Sequence, residues 1–415
     1  LPDMENSDTL DQYIYRSGAS ILVEPNSNQE CENSGNSETY RITPGDAAEW
    51  KQVVGHRRND DPAMLIFTSG SSAEPKMVVI SHRNLLTNCE SIWQYLPLDQ
   101  NERAFAISPF GHALGNSVLQ THLLCGACLV LPKRNLFPSE IISELKRFHC
   151  TSLSSVPEFF DSLLTVAKQT DSIPDCVRYF AVAGGKMNSA KIKVWQRKLE
   201  PAQFFVMYGQ SEATARLAYL PPNEINRAPH TVGQAIPGVE LEIRSDGQII
   251  SNHDEVGTLF ARGENVMLGY WNDSIQTHSK IQDGWLNTGD LARWDESGFI
   301  EICGRIDGLI KINGYRFHPQ EIETILGPEL FETRVVATTF KYYGLTRLGL
   351  FAETSSDELN NQKLRRICQA VLPRHMMPQR FQTVREFPLR PNGKIDRQAL
   401  AQKLETSSNR NSVAH

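Results

Sequence analysis

The chain lacks any run of 18 or more consecutive apolar residues, so no segment of it reads as a membrane-spanning helix. Its opening also lacks the basic-then-apolar order of a secretory signal, and the expectation is a soluble, cytoplasmic protein with no membrane span. Cysteine is sparse. Eight residues (Cys31, Cys89, Cys125, Cys128, Cys150, Cys176, Cys303 and Cys368) scattered over 415 exclude a disulfide scaffold. The one C-x-x-C, Cys125 to Cys128, lies in an apolar stretch and reads as buried small side chains rather than a redox or metal site. No strong excess of one charge exists either. Forty-two Lys+Arg against 48 Asp+Glu give −6, which provides no case for nucleic-acid binding. A fixed-period repeat is absent, as is G-x-x-x-x-G-K-[ST], which excludes a solenoid and a Walker-type phosphate loop.

What is present is an ordinary globular composition, 40% hydrophobic and 22% charged, in a chain long enough for two or more domains. The charge is unevenly spread: residues 1–307 carry −12 and residues 308–415 carry +6, which suggests two bodies of opposite sign. A short apolar run at Ile21–Val23 reads as a strand followed by a long polar connection. Strands are expected at Met64–Phe67 and Val78–Ile80, with Ser81 capping a helix. Beyond them, strands near Cys128–Leu131, Thr151–Ser155, Tyr179–Ala183 and Gln203–Met207 alternate with helices near Ser139–Phe148, Pro157–Lys168 and Ser189–Leu199. That alternation predicts an α/β fold built on parallel strands. From about Val239 the texture changes to short alternating strands, a small β subdomain. A last α+β section starts near Gly308, with a helix at Pro319–Leu326, a strand near Val335–Thr339 and a helix at Leu359–Leu372, and ends in a polar tail from Thr406.

The sharpest local feature is Leu65–Lys76, a strand running into small hydroxylated residues around Gly70 and ending on a lysine. Such a turn can aim backbone N–H groups, hydroxyls and one cation at an anion. Thr68, Ser69, Gly70, Ser71, Ser72 and Lys76 form this candidate phosphate loop.

Further along, Tyr208-Gly-Gln-Ser-Glu212, Asn287-Thr-Gly-Asp290, Gly304-Arg-Ile-Asp307, Ile310-Lys-Ile-Asn-Gly-Tyr-Arg316 and Pro391-Asn-Gly-Lys394 follow in order. With the Thr68–Lys76 loop, these resemble the signatures of the adenylate-forming superfamily: acyl-CoA synthetases, nonribosomal adenylation domains and luciferases. The resemblance implies activation of a carboxylic acid by ATP to an acyl-adenylate, with release of pyrophosphate. Transfer to a thiol, coenzyme A or the phosphopantetheine of an acyl carrier protein, would follow. It implies a large N-terminal domain over 1–306, a small mobile C-terminal lid over 307–405 and a polar tail over 406–415. Compared with the family, the chain reads as a fragment about a hundred residues short at its front.

The resemblance also assigns roles. Glu212 would hold Mg²⁺. Tyr208, Gly209, Gln210 and Ser211 would border the nucleotide, with Gly184 and Gly185 along the adenine. Asp290 and Arg305 would take the ribose, and Lys394 would reach the carboxylate and α-phosphate. Asp307 would be the hinge, Gly314 would line the thiol tunnel, and His112 and Ala183 would wall the acyl pocket. Amino-acid-activating relatives carry an Asp in an aromatic-Asp pair, whereas this chain has Phe110-Gly111; a plain carboxylic acid is therefore expected, since a buried ammonium needs a carboxylate partner. Two departures stand out in the phosphate loop: Ser72-Ala73-Glu74 replaces the common Thr-Gly-Lys, and Met77 replaces Gly. Two alternatives stay open at this point: an amino-acid adenylation unit of a peptide synthetase, and a degenerate nucleotide-binding relative with little activity.

Overall fold

Strand residues buried on both faces dictate a sheet covered on both sides, and Tyr179–Val182, with all four residues buried, sits at the middle of one. In the computed structural model, which describes residues 59–68, 76–132, 136–167, 173–253, 255–308, 310–312, 315–330, 333–342, 345–354, 359–390 and 393–410, this sheet has seven strands. Their order is Cys128–Val130, Arg103–Phe105, Ser152–Ser155, Tyr179–Val182, Gln203–Tyr208, Ala218–Leu220 and Gln234–Ala235. The first five run parallel and the last two are antiparallel.

Period-two alternation sorts the side chains. Phe180, Val182, Phe204 and Val206 point to one face, where Phe160 of helix Pro157–Ala167 and Trp195 of helix Ser189–Leu199 meet them. The rings of Phe160 lie 5.6 Å from Trp195 and 5.5 Å from Phe204, edge to face. Tyr179, Ala181, Ala183, Phe205 and Met207 point to the other face, under Ile92 and Leu96 of the helix His82–Tyr95 and its cap. That helix begins where the sequence places it: Ser81 Oγ accepts from the Asn84 N–H at 3.1 Å, and the Asn84 side chain accepts from the Ser81 N–H at 2.8 Å. Asn84 also donates to the carbonyls of Glu264 and Val266, tying the helix to the β-rich part of the chain.

Two antiparallel sheets flank this core. Pro62–Thr68, Lys76–Ser81 and Gly269–Tyr270 form a three-stranded sheet. A six-stranded sheet is organised on the long strand Trp285–Trp294, which pairs with Gly257–Gly263 on one side and Ile300–Arg305 on the other. After Arg305, a separate sheet of Arg334–Tyr342, Leu345–Glu353 and Arg380–Val384 is covered on one face by Pro319–Leu326 and Asn361–Val371 and on the other by Arg397–Arg410.

Most expected elements are present within a residue or two. Strands Arg103–Phe105, Leu345–Glu353 and Arg380–Val384 are not expected from the pattern: Arg103–Phe105 is too short and the edge strand Arg380–Val384 too weakly patterned to show a period, and the central Leu345–Glu353 carries a continuous buried run, Leu348–Ala352, in place of alternation. The helix Arg397–Arg410 continues past Thr406, where the sequence reading starts a polar tail. Leu400 and Leu404 anchor it four residues apart, and each further residue adds a backbone hydrogen bond to a helix already nucleated. The strand expected at Ile21–Val23, and Ser69, Gly70, Ser71, Ser72 and Gly314, lie outside the described residues. Among those described, no helix is long and apolar enough to cross a membrane, and all seven cysteines are free.

Phe160 is fully buried at the centre of the aromatic cluster. Phe160→Ala is expected to lower unfolding free energy by about 3–5 kcal/mol, read as a fall in the urea midpoint at unchanged slope.

Candidate active site

The strands of the parallel sheet end together, and the loops after them supply the site. After Tyr179–Val182 the chain turns at Gly184, whose φ of +87° favours glycine. After Gln203–Tyr208, Gly209 passes so near the returning chain that a Cβ there would stand 1.9 Å from the Ala215 carbonyl oxygen. This close approach fixes the turn that carries Gln210, Ser211 and Glu212. Gln210 Nε2 is buried without a hydrogen-bond partner, a donor held ready for an acceptor.

Asp290 joins the sheets. Its carboxylate accepts a short hydrogen bond from the Tyr208 hydroxyl, and its other oxygen lies 3.2 Å from Arg305 Nη1 on the neighbouring strand. Only 6% of Asp290 is exposed; burial raises its pKa, and Arg305 and Tyr208 oppose that shift. Burial together with the Asp290 charge raises the Tyr208 phenol well above its ordinary value, so Tyr208 donates.

A second group adjoins this one. Glu212 accepts from the Tyr270 hydroxyl at 2.8 Å, and the Tyr270 ring lies 5.2 Å from Lys76 Nζ. Lys76 opens its strand opposite Thr68, so both ends of the phosphate loop are fixed in register. Lys280, at the end of helix Ser274–Lys280, donates to the Thr288 carbonyl at 3.1 Å. At Gly289, φ +75°, a Cβ would stand 3.1 Å from Arg305 Nη2 and 3.3 Å from Lys280 Nζ. Burial lowers the Lys280 pKa, with Glu212 acting in the opposite direction.

Lys394 comes from the far end of the chain. It follows Gly393, φ +79°, in a turn closed by the Arg390 N–H donating to the Lys394 carbonyl at 2.8 Å. The turn reaches the sheet: the Lys394 Cε lies 3.5 Å and its Nζ 3.7 Å from where a Cβ would stand on Gly184. The Lys394 side chain keeps an exposed flank, so the site is an open cleft, yet desolvation lowers its pKa. Glu158, in the first turn of helix Pro157–Ala167, pulls the ammonium the other way; its own carboxyl is raised by burial, and its Oε2 is buried without a hydrogen-bond partner.

His112 caps the helix Ala113–Leu124 through its backbone geometry, with no side-chain capping bond. Burial, and then the charge of Lys394, lower its pKa, which keeps the imidazole neutral. Ala183 is buried directly before Gly184. Gly185 packs on Pro157, with a Cβ position 3.3 Å from that ring. Asp307 lies in the single turn Ile306–Gly308. Beside that turn the buried His318 ring fills the space over Gly304, where a Cβ would meet it at 2.4 Å.

The fold thus brings Tyr208, Glu212, Asp290, Arg305 and Lys76 together, and sets Gly184, His112 and Lys394 against them. Sequence reasoning missed Tyr270, Lys280, Glu158 and His318. None falls within a quoted motif, and each acts through a contact across more than ten residues of sequence or on a neighbouring sheet.

The chain matches the AMP-binding enzyme family over residues 7–271. It is 26% identical over 361 residues to the putative acyl-CoA synthetase YngI of Bacillus subtilis, covering 86% of this chain and 66% of that one. Against 2-succinylbenzoate–CoA ligase of Bacillus subtilis it is 27% identical over 360 residues, 86% of this chain and 72% of the other. Among solved structures, it is similar to o-succinylbenzoate CoA synthetase (MenE) from Bacillus subtilis in complex with the acyl-adenylate intermediate OSB-AMP. There the TM-score is 0.71 at 25% identity, covering 83% of this chain and 69% of that chain. The chain therefore spans about two thirds of the length of these relatives, and it belongs to the AMP-binding enzyme family.

The charge of Glu158 beside Lys394 gives a direct test of the geometry. Glu158→Gln removes the carboxylate that counters desolvation, so the Lys394 ammonium is expected to titrate at a lower pH than in the parent chain. NMR of isotope-labelled, methylated lysines measures this; an unmoved Lys394 titration would exclude the pairing.

Proposed function

We propose that this member of the AMP-binding enzyme family activates a carboxylic acid with ATP and then passes the acyl group to a thiol. The observation that carries this reading is the charge balance of the site. Lys76, Lys280, Arg305 and Lys394 converge on Glu212 and Asp290, and each of the two lysines whose pKa is lowered, Lys280 and Lys394, feels both Arg305 and Asp290. Four cations against Glu212, Asp290 and the Glu158 carboxylate beside Lys394 leave positive charge that suits a polyphosphate and a carboxylate meeting in one place.

In the first step a carboxylate oxygen forms a bond to the α-phosphorus, the bond to the bridging oxygen breaks, and pyrophosphate leaves with its electrons. Lys394, at the Gly184 turn, faces both reacting groups and stabilises the charge that builds between them. Lys76 and the phosphate loop hold the β- and γ-phosphates. Glu212, with its second oxygen open beside the Tyr270 bond, suits Mg²⁺ carried by ATP, which binds one or two carboxylates plus phosphate oxygens. Asp290 retains lone pairs beyond its bonds to Tyr208 and Arg305 and can accept the ribose hydroxyls. Gly184 and Gly185 let backbone approach the adenine, and Gln210 Nε2 offers its unused donor.

In the second step a thiolate attacks the acyl carbon and AMP departs. Coenzyme A or carrier-protein phosphopantetheine is the acceptor. Residues 307–405 turn about Asp307 to withdraw Lys394 and bring the Gly314 segment to the site, which makes them a lid on the 1–306 body. The family's acyl-CoA synthetases and the acyl-adenylate complex of the Bacillus subtilis relative support this reading. A cytoplasmic location is part of the same proposal.

ATP/pyrophosphate exchange with a panel of fatty, aryl and amino acids tests the proposal. Acid-dependent exchange is expected, and its absence with every acid in a chain that binds ATP would overturn it. Lys394→Ala should lower exchange about 100- to 1,000-fold. Since the ammonium is the active form and its pKa is lowered from 10.5, exchange should fall on the alkaline side at a pH below that of an ordinary lysine. Lys394→Arg, which stays charged, should remove that alkaline limb.

A further inference from the structure

Among the described residues Arg216 is the one lysine or arginine that is buried. Arg397 is paired with Glu323, Lys191 with Asp161 at 3.0 Å, Arg334 with Glu353, and Arg305 with Asp290. Arg216, 4% exposed, has no carboxylate within salt-bridge distance among the described residues. Its Nε donates to Met207 Sδ at 3.3 Å, and the oxygens acting on its charge are the hydroxyls of Tyr95 and Tyr179. A guanidinium stripped of water and left with a thioether and neutral phenols is costly. Five N–H donors in a planar fork suit a carboxylate.

Its position says which carboxylate. Arg216 follows the Glu212 turn, with its Cα 2.8 Å from where a Cβ would stand on Gly209. Its side chain then turns to the sheet face that carries Ala181, Ala183, Phe205 and Met207. The parallel register pairs Ala181 with Phe205 and Val182 with Val206, so Ala183 and Met207 lie side by side, about 4.8 Å apart in strand spacing. Ala183 immediately precedes Gly184, where the Lys394 side chain arrives. Between the Lys394 ammonium at Gly184 and the Arg216 guanidinium at Met207 the sheet therefore places Ala183 and a single neighbouring strand. Apolar and aromatic groups border that course. Leu114 packs there, and the Tyr95 and Tyr219 rings stack with centroids 4.0 Å apart. The Tyr95 hydroxyl lies 3.5 Å from Met207 Sδ beside the guanidinium, and burial raises its pKa to about 12, so it stays a donor.

We propose that Arg216 is a specificity-determining residue that binds a second carboxylate at the far end of the acid, so that the substrate is a dicarboxylic acid with an apolar spacer. This rests on the acid-activation reading above and deepens it. The reacting carboxylate goes to Lys394, and the distal one takes the fork of Arg216 with the Tyr95 hydroxyl beside it.

The test pairs straight-chain and aryl dicarboxylates with monocarboxylates of the same length in ATP/pyrophosphate exchange, on the parent chain, Arg216→Met and Arg216→Lys. The parent is expected to favour the diacid of the best pair about 100-fold in kcat/KM. Arg216→Met should lose that preference through the diacid alone and gain the monoacid, and Arg216→Lys should keep part of it. Equal use of both members of every pair, or an equal fall for both in Arg216→Met, would overturn the assignment while leaving acid activation intact. Calorimetric titration with the same acids separates the two ideas further. Saturable diacid binding that Arg216→Met abolishes, without exchange by any acid, would support the Arg216 site and sink the ligase reading. No preferential diacid binding would sink the Arg216 site itself.

Discussion

The buried carboxylate of Asp290 is the constraint around which the site is arranged. A carboxylate with 6% exposure needs partners, and it takes them from two different sheets: the Tyr208 hydroxyl at the end of the parallel sheet and Arg305 on the strand next to its own. Those bonds tie the two sheets together at the site. They also fix the start of everything C-terminal, because the turn Ile306–Gly308 leaves directly from Arg305. The His318 ring, packed over Gly304 and Gly308, braces that departure from the other side.

Charge in the cleft is arranged by burial as much as by pairing. Desolvation lowers the pKa values of Lys280 and Lys394 and raises those of Asp290 and Glu158, so both signs are held closer to neutrality than they would be in water. Glu158 and Lys394 partly compensate each other across a contact between the Pro157–Ala167 helix and the Gly393 turn. That contact ties the Gly393 turn, from the far end of the chain, to the helix that follows the strand Ser152–Ser155. Arg216 is the exception to compensation: it is buried with no carboxylate within salt-bridge distance among the described residues.

Legibility followed the range of the interactions. The helix at Ser189–Leu199 and the Ser81 cap were readable because capping and helical periodicity are local, and Gln203–Tyr208 because a strand buried on both faces is a continuous apolar run. Arg103–Phe105 was not, since three residues carry no period, and its place is set by neighbours on both sides. The last helix runs past Thr406, into residues whose polar composition reads as a tail, because it is propagated from Leu400 and Leu404. In the site, Tyr208, Glu212, Asp290, Arg305 and Lys394 were legible through motif order. Tyr270 and Lys280 were not, because their significance lies in a hydroxyl and an ammonium brought to Glu212 and Thr288 by sheets that pair across the chain.

By itself the sequence determined the α/β alternation, the β-rich texture after Val239, the family's ordered motifs and the uneven charge of the two ends. All of these are properties of local spacing and composition, which a linear chain records. Only the tertiary structure decided that Lys394 meets Gly184, that Glu158 stands beside it, and that Arg216 is buried on the Ala183 face with no carboxylate at hand among the described residues. Those outcomes depend on strand register and on removal from water, and neither exists until distant segments have packed.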